Sequence, residues 1–378
     1  MKFSTKSIHI GQKPDEATGA IIPPIYMTST YIQDAPAQHK GYDYTRAGNP
    51  NFSNIEATLA SLENGKFATV FSSGLGGLTG IISMLKAGDS VIGTADIYGG
   101  SYRLFKRIFS NYGINFKTIN TQDLQEVNNA LKLKPKMVFI ESPTNPLLKI
   151  TDIEKVTEMA RKYGVISVVD NTFATPYFQN PLDLGADIVL HSTTKYIGGH
   201  SDIVGGVVIT DNPEFKEKID FARMAIGLNP SPFDVWLGSR GIKTLGIRME
   251  KHGQNAFALA NFFQNHPKVK KVYYPGLESH PNYIIAKKQM KGFSGIVSVE
   301  FDMTLEETKK MISSFKYFSL AESLGGIESL VDHPASMTHA SIPAEERKKI
   351  GLSDGLVRFS VGIEDIEDLK ADINRTLK

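Results

Sequence analysis

Three short runs in this chain carry almost no polar side chain before their ends: Met137-Val138-Phe139-Ile140-Glu141, Val165-Ile166-Ser167-Val168-Val169-Asp170 and Asp187-Ile188-Val189-Leu190-His191. A strand with one wet face alternates apolar and polar residues, whereas a strand that is apolar throughout is covered on both faces. Shorter strands are expected at Ala68 to Phe71, Ser90 to Gly93 and Ile114 to Ile119, and one ending near Thr210. Between them lie helical patterns: Ser53 to Asn64, Ser101 to Tyr112, Leu124 to Leu131 and Ile153 to Tyr163. Ser53 and Glu56 have capping-box spacing, and Gly65 follows as a stop. Strands and helices in alternation imply an α/β fold, a mostly parallel sheet with helices on both faces.

The flanks read differently. Residues 1–50 lack periodicity and are rich in Pro and Gly, which implies an extended arm. An arm that long needs a surface, and a neighbouring subunit is the natural one. If the arm is extended, Tyr44 and Arg46 point to the same side. Residues 51–253 form the α/β unit. Residues 254–378, with mixed strands and helices in blocks, suggest an α+β domain. No internal repeat is visible.

Composition narrows the chemistry. A formal net charge of +2 over 378 residues gives no sign of nucleic acid or of an anionic membrane as a partner. The chain has no cysteine, so disulfides, thiolate metal sites and cysteine nucleophiles are excluded together. No metal site is expected. Met1-Lys2-Phe3-Ser4 opens no apolar segment, and the longest apolar runs fall far short of a membrane span. A cytoplasmic location is the expectation.

In open α/β sheets ligands gather at the C-terminal ends of the strands. Four such ends carry useful chemistry. Ser72-Ser73-Gly74-Leu75-Gly76-Gly77 links a strand to a helix start and offers backbone N–H groups to an anion. It is neither a Walker loop nor a dinucleotide fingerprint. Asn145 sits in Glu141-Ser142-Pro143-Thr144-Asn145-Pro146. Asp170 ends an apolar strand, where a carboxylate needs a cation or hydrogen-bond donors. Lys195 lies among hydroxyls in Ser192-Thr193-Thr194-Lys195-Tyr196. Tyr98, after another strand end, could stack on a ring. Each has a plain alternative: a tight turn, a turn asparagine, a helix cap, a loop lysine and a core tyrosine. Together they offer a phosphate cup, an acid for a pyridine nitrogen and an amine for an aldehyde, which is the equipment for pyridoxal 5'-phosphate (PLP).

The chain resembles the PLP-dependent transsulfuration enzymes, the group of cystathionine γ-lyases, γ-synthases, β-lyases and methionine γ-lyases. The resemblance runs over essentially the whole length. It rests on Tyr44-Thr45-Arg46, Ser73-Gly74-Leu75, Tyr98-Gly99-Gly100, Pro143-Thr144-Asn145-Pro146, Val169-Asp170-Asn171-Thr172, Ser192 to Tyr196, Gly199-His200-Ser201-Asp202, Ala321-Glu322-Ser323-Leu324-Gly325-Gly326, Met337-Thr338-His339-Ala340-Ser341 and Arg358-Phe359-Ser360-Val361-Gly362. It implies the type I fold of PLP-dependent transferases: a large domain with a mostly parallel seven-stranded sheet, a smaller C-terminal α+β domain and an N-terminal arm.

The resemblance also implies roles. Lys195 would carry PLP as a Schiff base and shuttle protons. Asp170 would hold the pyridine nitrogen, and Tyr98 would stack on the ring and assist catalysis. Gly74, Leu75, Ser192 and Thr194 would hold the phosphate, joined by Tyr44 and Arg46 from the adjacent subunit. Arg358 would clamp the substrate carboxylate, with Asn145 and Ser323 helping and Glu322 and Tyr44 nearby. A tetramer made of two dimers is implied. Gly76-Gly77 departs from the alanines often found there, and Asn51 from a threonine. Methionine γ-lyases typically carry cysteine at the position of Gly100. Glu322 suits γ-lyases and γ-synthases, while Ala35 to His39 and Pro230-Ser231-Pro232 look more like γ-lyases. Cystathionine γ-lyase is therefore the expected activity, with γ-synthase or β-lyase as alternatives.

Overall fold

The computed structural model describes residues 1–338 and 351–377. Its centre is a seven-stranded sheet in the order Phe67–Phe71, Gly206–Thr210, Ile188–Ser192, Ile166–Asp170, Met137–Glu141, Ser90–Thr94 and Asn115–Ile119. The last five pair in parallel, and Gly206–Thr210 runs antiparallel to both its neighbours. The three apolar runs form the middle of this sheet. Val138, Phe139, Ile140, Val168, Val169, Ile188 and Val189 are all fully buried. Each contributes about 1.5–3 kcal/mol of apolar burial, enough to fix these strands at the core.

A second, five-stranded sheet follows the order Val269–Tyr273, Ile296–Phe301, Leu356–Ser360, Leu330–Asp332 and Ser319–Leu320. It has its own core around Phe263, Phe301, Phe318 and Phe359. The seven-stranded sheet and the smaller C-terminal domain match the expected fold. The helix Leu245–Gln264 runs through position 253, where the sequence suggests a boundary.

Local chemistry explains where the elements differ from expectation. The first long helix is Pro50–Leu62, capped by Asn49, whose side chain accepts from the Asn51 amide. Pro50 is preset for the first helical position, so the helix starts ahead of Ser53. Glu56 is not a capping residue: it accepts from the Val70 amide at 2.9 Å and pairs with Arg223 at 2.7 Å. The segment expected as one helix over 101–112 is a short helix Gly99–Arg103, then a π turn Leu104–Ile108, then a 3₁₀ turn Phe109–Tyr112. The wide turn surrounds Phe105, whose buried ring stacks on Phe116 at 4.2 Å. The arm holds a helix, Phe3–His9, and a small hairpin of Gln33–Ala35 with Gln38–His39.

Candidate active site at the strand ends

A cavity of about 320 Å³ opens where the central strands end. Ser73, Gly74, Leu75, Tyr98, Asn145, Asp170, Ser192, Thr194, Lys195, Glu322, Ser323 and Arg358 all line it. The parallel strands carry their chain ends to one edge of the sheet, so residues far apart in sequence meet there.

Ser73 begins one wall. It caps the helix Gly74–Ile82, its side chain accepting from the Gly76 amide at 2.9 Å. The first amides of a helix have no carbonyl one turn earlier. Those of Gly74 and Leu75 therefore face the cavity that these residues line. A Cβ at Gly74 would lie 3.0 Å from Cβ of Ser192, so the turn and the Ser192 end are packed tightly together. Thr194 closes this corner, donating to the Gly205 carbonyl at 3.2 Å and accepting from the Gly205 amide at 3.0 Å.

Asp170 ends the neighbouring strand and lines the same cavity. One carboxylate oxygen accepts from the Thr172 amide at 3.0 Å and the Thr172 hydroxyl at 2.6 Å. Burial raises its pKa above the ordinary carboxylate range, and the bonds from Thr172 and the nearby His191 oppose that. Thr172 in turn accepts from the Ser192 amide at 2.9 Å, which links the two strand ends.

Lys195 Nζ donates to the Ser323 hydroxyl at 2.6 Å. Burial lowers the lysine to about 8, helped by the Arg358 cation and opposed by Glu322 and Asp332. Ser323 has φ = 90°, a region that side-chain-bearing residues rarely occupy. That backbone turn lets its hydroxyl meet Lys195 while its carbonyl accepts from Arg358 at 2.7 Å. Arg358 is fully enclosed, and its guanidinium also donates to Asn145 Oδ1 at 2.8 Å and pairs with Asp332. Arg358 Nε is buried and has no hydrogen-bond partner among the described residues.

The sequence pattern did not single out two of these acids. Glu141, in register with Asp170 on the next strand, accepts from the Tyr98 amide at 2.8 Å and the Asn145 amide at 2.9 Å. It ends an apolar strand as Asp170 does, so the same signal was present. Asp332 ends a three-residue strand in register with Arg358, a run too short to show any period. Burial raises Asp332 to about 6 against the pull of Arg358.

Tyr44 and Arg46 do not line this cavity. They border another, of about 430 Å³, with Met27, Ser29 and Pro232. Arg46 donates to the Met224 carbonyl at 2.8 Å. Of Met337 to Ser341, Thr338 lines the strand-end cavity, while His339, Ala340 and Ser341 lie outside the described residues.

The donor set fits PLP: around one cavity stand amides and hydroxyls for a phosphate, a half-buried carboxylate for a pyridine nitrogen, and an amine for an aldehyde. The sequence matches the family described as "Cys/Met metabolism PLP-dependent enzyme" over residues 4–378. The chain belongs to that family. PLP is thus the cofactor of this Cys/Met metabolism enzyme. It is 51% identical to a cystathionine gamma-lyase of Dictyostelium discoideum over 377 residues, covering 100% of this chain and 97% of the relative. It is also 51% identical to a cystathionine beta-lyase of Coxiella burnetii, covering 99% and 97%. A crystal structure of cystathionine gamma synthase from Xanthomonas oryzae pv. oryzae in complex with cystathionine superposes with a TM-score of 0.97 at 43% identity, covering 100% of this chain and 98% of that one. Members of one family with this architecture thus bear three different activity names. No helix among the described residues is long and apolar enough to cross a membrane.

Proposed function

We propose that the protein cleaves cystathionine by α,γ-elimination, with water, to cysteine, 2-oxobutanoate and ammonia. The observation that carries this reading is the placement of Glu322 in the cavity beside Ser323, which accepts from Lys195. Cystathionine has an amino-acid group at each end. Arg358, oriented by Asn145 and the Ser323 carbonyl, takes the near carboxylate in a charge-assisted pair. Glu322 offers a counter-charge to the far ammonium group.

Bound PLP supplies an electron sink for charge developed next to the amino carbon. The chain supplies the rest. Gly74, Leu75, Ser192 and Thr194 hold the phosphate, Asp170 keeps the pyridine nitrogen cationic, and Tyr98 covers the ring. Lys195, once its amine is free and neutral, takes the proton from Cα and returns protons along the reaction. A Cβ at Gly100 would fall 2.3 Å from the Tyr98 ring, so a side chain there requires that ring to move.

Tyr44 and Arg46 belong in this reading to the active site of a second subunit, where they reach the phosphate. A dimer, paired again into a tetramer, is the assembly we propose.

The test is incubation of the purified holoenzyme with cystathionine alone, with the keto acid and thiol identified. Cysteine with 2-oxobutanoate is expected. Homocysteine with pyruvate would make the protein a β-lyase. No turnover until an acylhomoserine and cysteine are supplied would make it a γ-synthase.

A further inference from the structure

Glu141 is 5% exposed, and its two oxygens each hold a different loop at the rim of the cavity. Oε2 accepts from the Tyr98 amide at 2.8 Å, and Oε1 accepts from the Asn145 amide at 2.9 Å. Those loops have separate tasks. Tyr98 starts the helix Gly99–Arg103 and presents its ring to the cavity. Asn145 carries the amide oxygen that accepts from Arg358 at 2.8 Å.

No backbone ladder joins Tyr98 to Asn145. Their strands, Ser90–Thr94 and Met137–Glu141, pair only as far as Gly93 and Phe139. Beyond those residues the backbone pairing stops and side chains take over: the Glu141 amide donates to Thr94 Oγ1 at 3.3 Å, and the Glu141 carboxyl group reaches Tyr98 and Asn145. A second link, Thr144 donating to Asp96 at 2.7 Å, lies farther from the cavity and touches neither Tyr98 nor Asn145.

We infer that Glu141 is a positioning residue: one buried carboxyl group sets the ring-covering Tyr98 and the carboxylate-binding Asn145–Arg358 pair relative to each other. The Glu141 carboxyl group is then the direct tie between the Tyr98 and Asn145 amides, alongside the Thr144–Asp96 bond. Removing one acceptor leaves a buried amide unpaired and frees one wall from the other. This inference rests on the assignment of Arg358 and Asn145 to the substrate carboxylate.

The test is a pair of double-mutant cycles on the holoenzyme. Gln at 141 keeps the size of the side chain but has only one acceptor. E141Q is combined with Asn145→Ala in one cycle and with Tyr98→Ala in the other. The dissociation constant is measured for 2-aminobutyrate, which has the carboxylate, and for propylamine, which lacks it. PLP affinity and melting temperature are recorded alongside. E141Q is expected to weaken 2-aminobutyrate about 10-fold or more, the cost of one unpaired buried group. Asn145→Ala should then add far less in the E141Q background than alone, and Tyr98→Ala likewise for PLP affinity. Effects that multiply independently in either cycle would overturn the inference, whatever happens to the melting temperature. Equal binding of the two probes by the wild type would instead sink the carboxylate assignment beneath it. If E141Q does not fold, E141D keeps both oxygens one methylene shorter, and the same cycles apply.

Discussion

Lys195 concentrates the chemistry in one side chain. Its proton affinity is set by burial first, then by Arg358, against Glu322 and Asp332. Only the neutral amine attacks an aldehyde, and with a pKa of about 8 that form becomes abundant as pH rises through 8. The rate at which apo-protein takes up PLP should therefore rise through pH 8 and level off above it, followed by the cofactor absorbance. A midpoint near that of an ordinary lysine would contradict the buried setting. Asp332 supports the protonated form, so D332N should move the midpoint downward. Lys195→Ala should bind no PLP covalently and turn nothing over. These roles were unequally legible. Lys195 and Asp170 stood out because a charged residue at the end of an apolar strand has to be explained. Glu141 sent the same signal, but its two partners are backbone amides, which no side-chain pattern records. Asp332 could not be found, since Leu330 and Val331 before it are too few to mark a strand.

The elements were readable where period and burial agreed. The central strands and the helices Leu124–Leu131 and Ile153–Tyr163 fall where apolar spacing puts them. The helix Tyr283–Gln289 and the strand Leu330–Asp332 escaped because each is short and placed by tertiary packing. The π turn at Phe105 escaped because its cause is a ring stack with Phe116, eleven residues on. The phosphate turn depends on another relation the sequence hides. Gly206 begins the antiparallel strand and pairs with both Phe71 and Ser192, the residues flanking that turn. A Cβ at Gly206 would lie 2.2 Å from the Ser73 carbonyl oxygen and 2.8 Å from the Gly74 amide nitrogen. Both atoms are backbone, so the helix start itself has to move. G206A should cost about 1–3 kcal/mol, typical of overpacking. It should also weaken PLP more than a comparable core substitution far from the turn. Thermal melts of the apo-protein with PLP titrations check both, and unchanged PLP affinity would show that the turn tolerates displacement.

The dimer proposed above gives the arm a surface. Ile21, Met27 and Ile32 are 77%, 68% and 89% exposed, close along one extended segment. Exposed apolar groups in such a row mark a surface that another protein covers. Tyr44 and Arg46 end that segment, outside the cavity of their own chain. In the proposed symmetric dimer each arm would complete its partner's site, so every site would draw Lys195 from one chain and Arg46 from the other. That arrangement can be tested by mixing subunits. Lys195→Ala and Arg46→Ala should each be close to inactive alone. Co-expressed in equal amounts with different tags, they form hybrid dimers, each with one site that has both residues intact. With random pairing, half the dimers are hybrids and half their sites work, so activity should return to roughly a quarter of wild type. If Arg46 served its own chain's site, every site would still lack Lys195 or Arg46, and mixing would restore nothing.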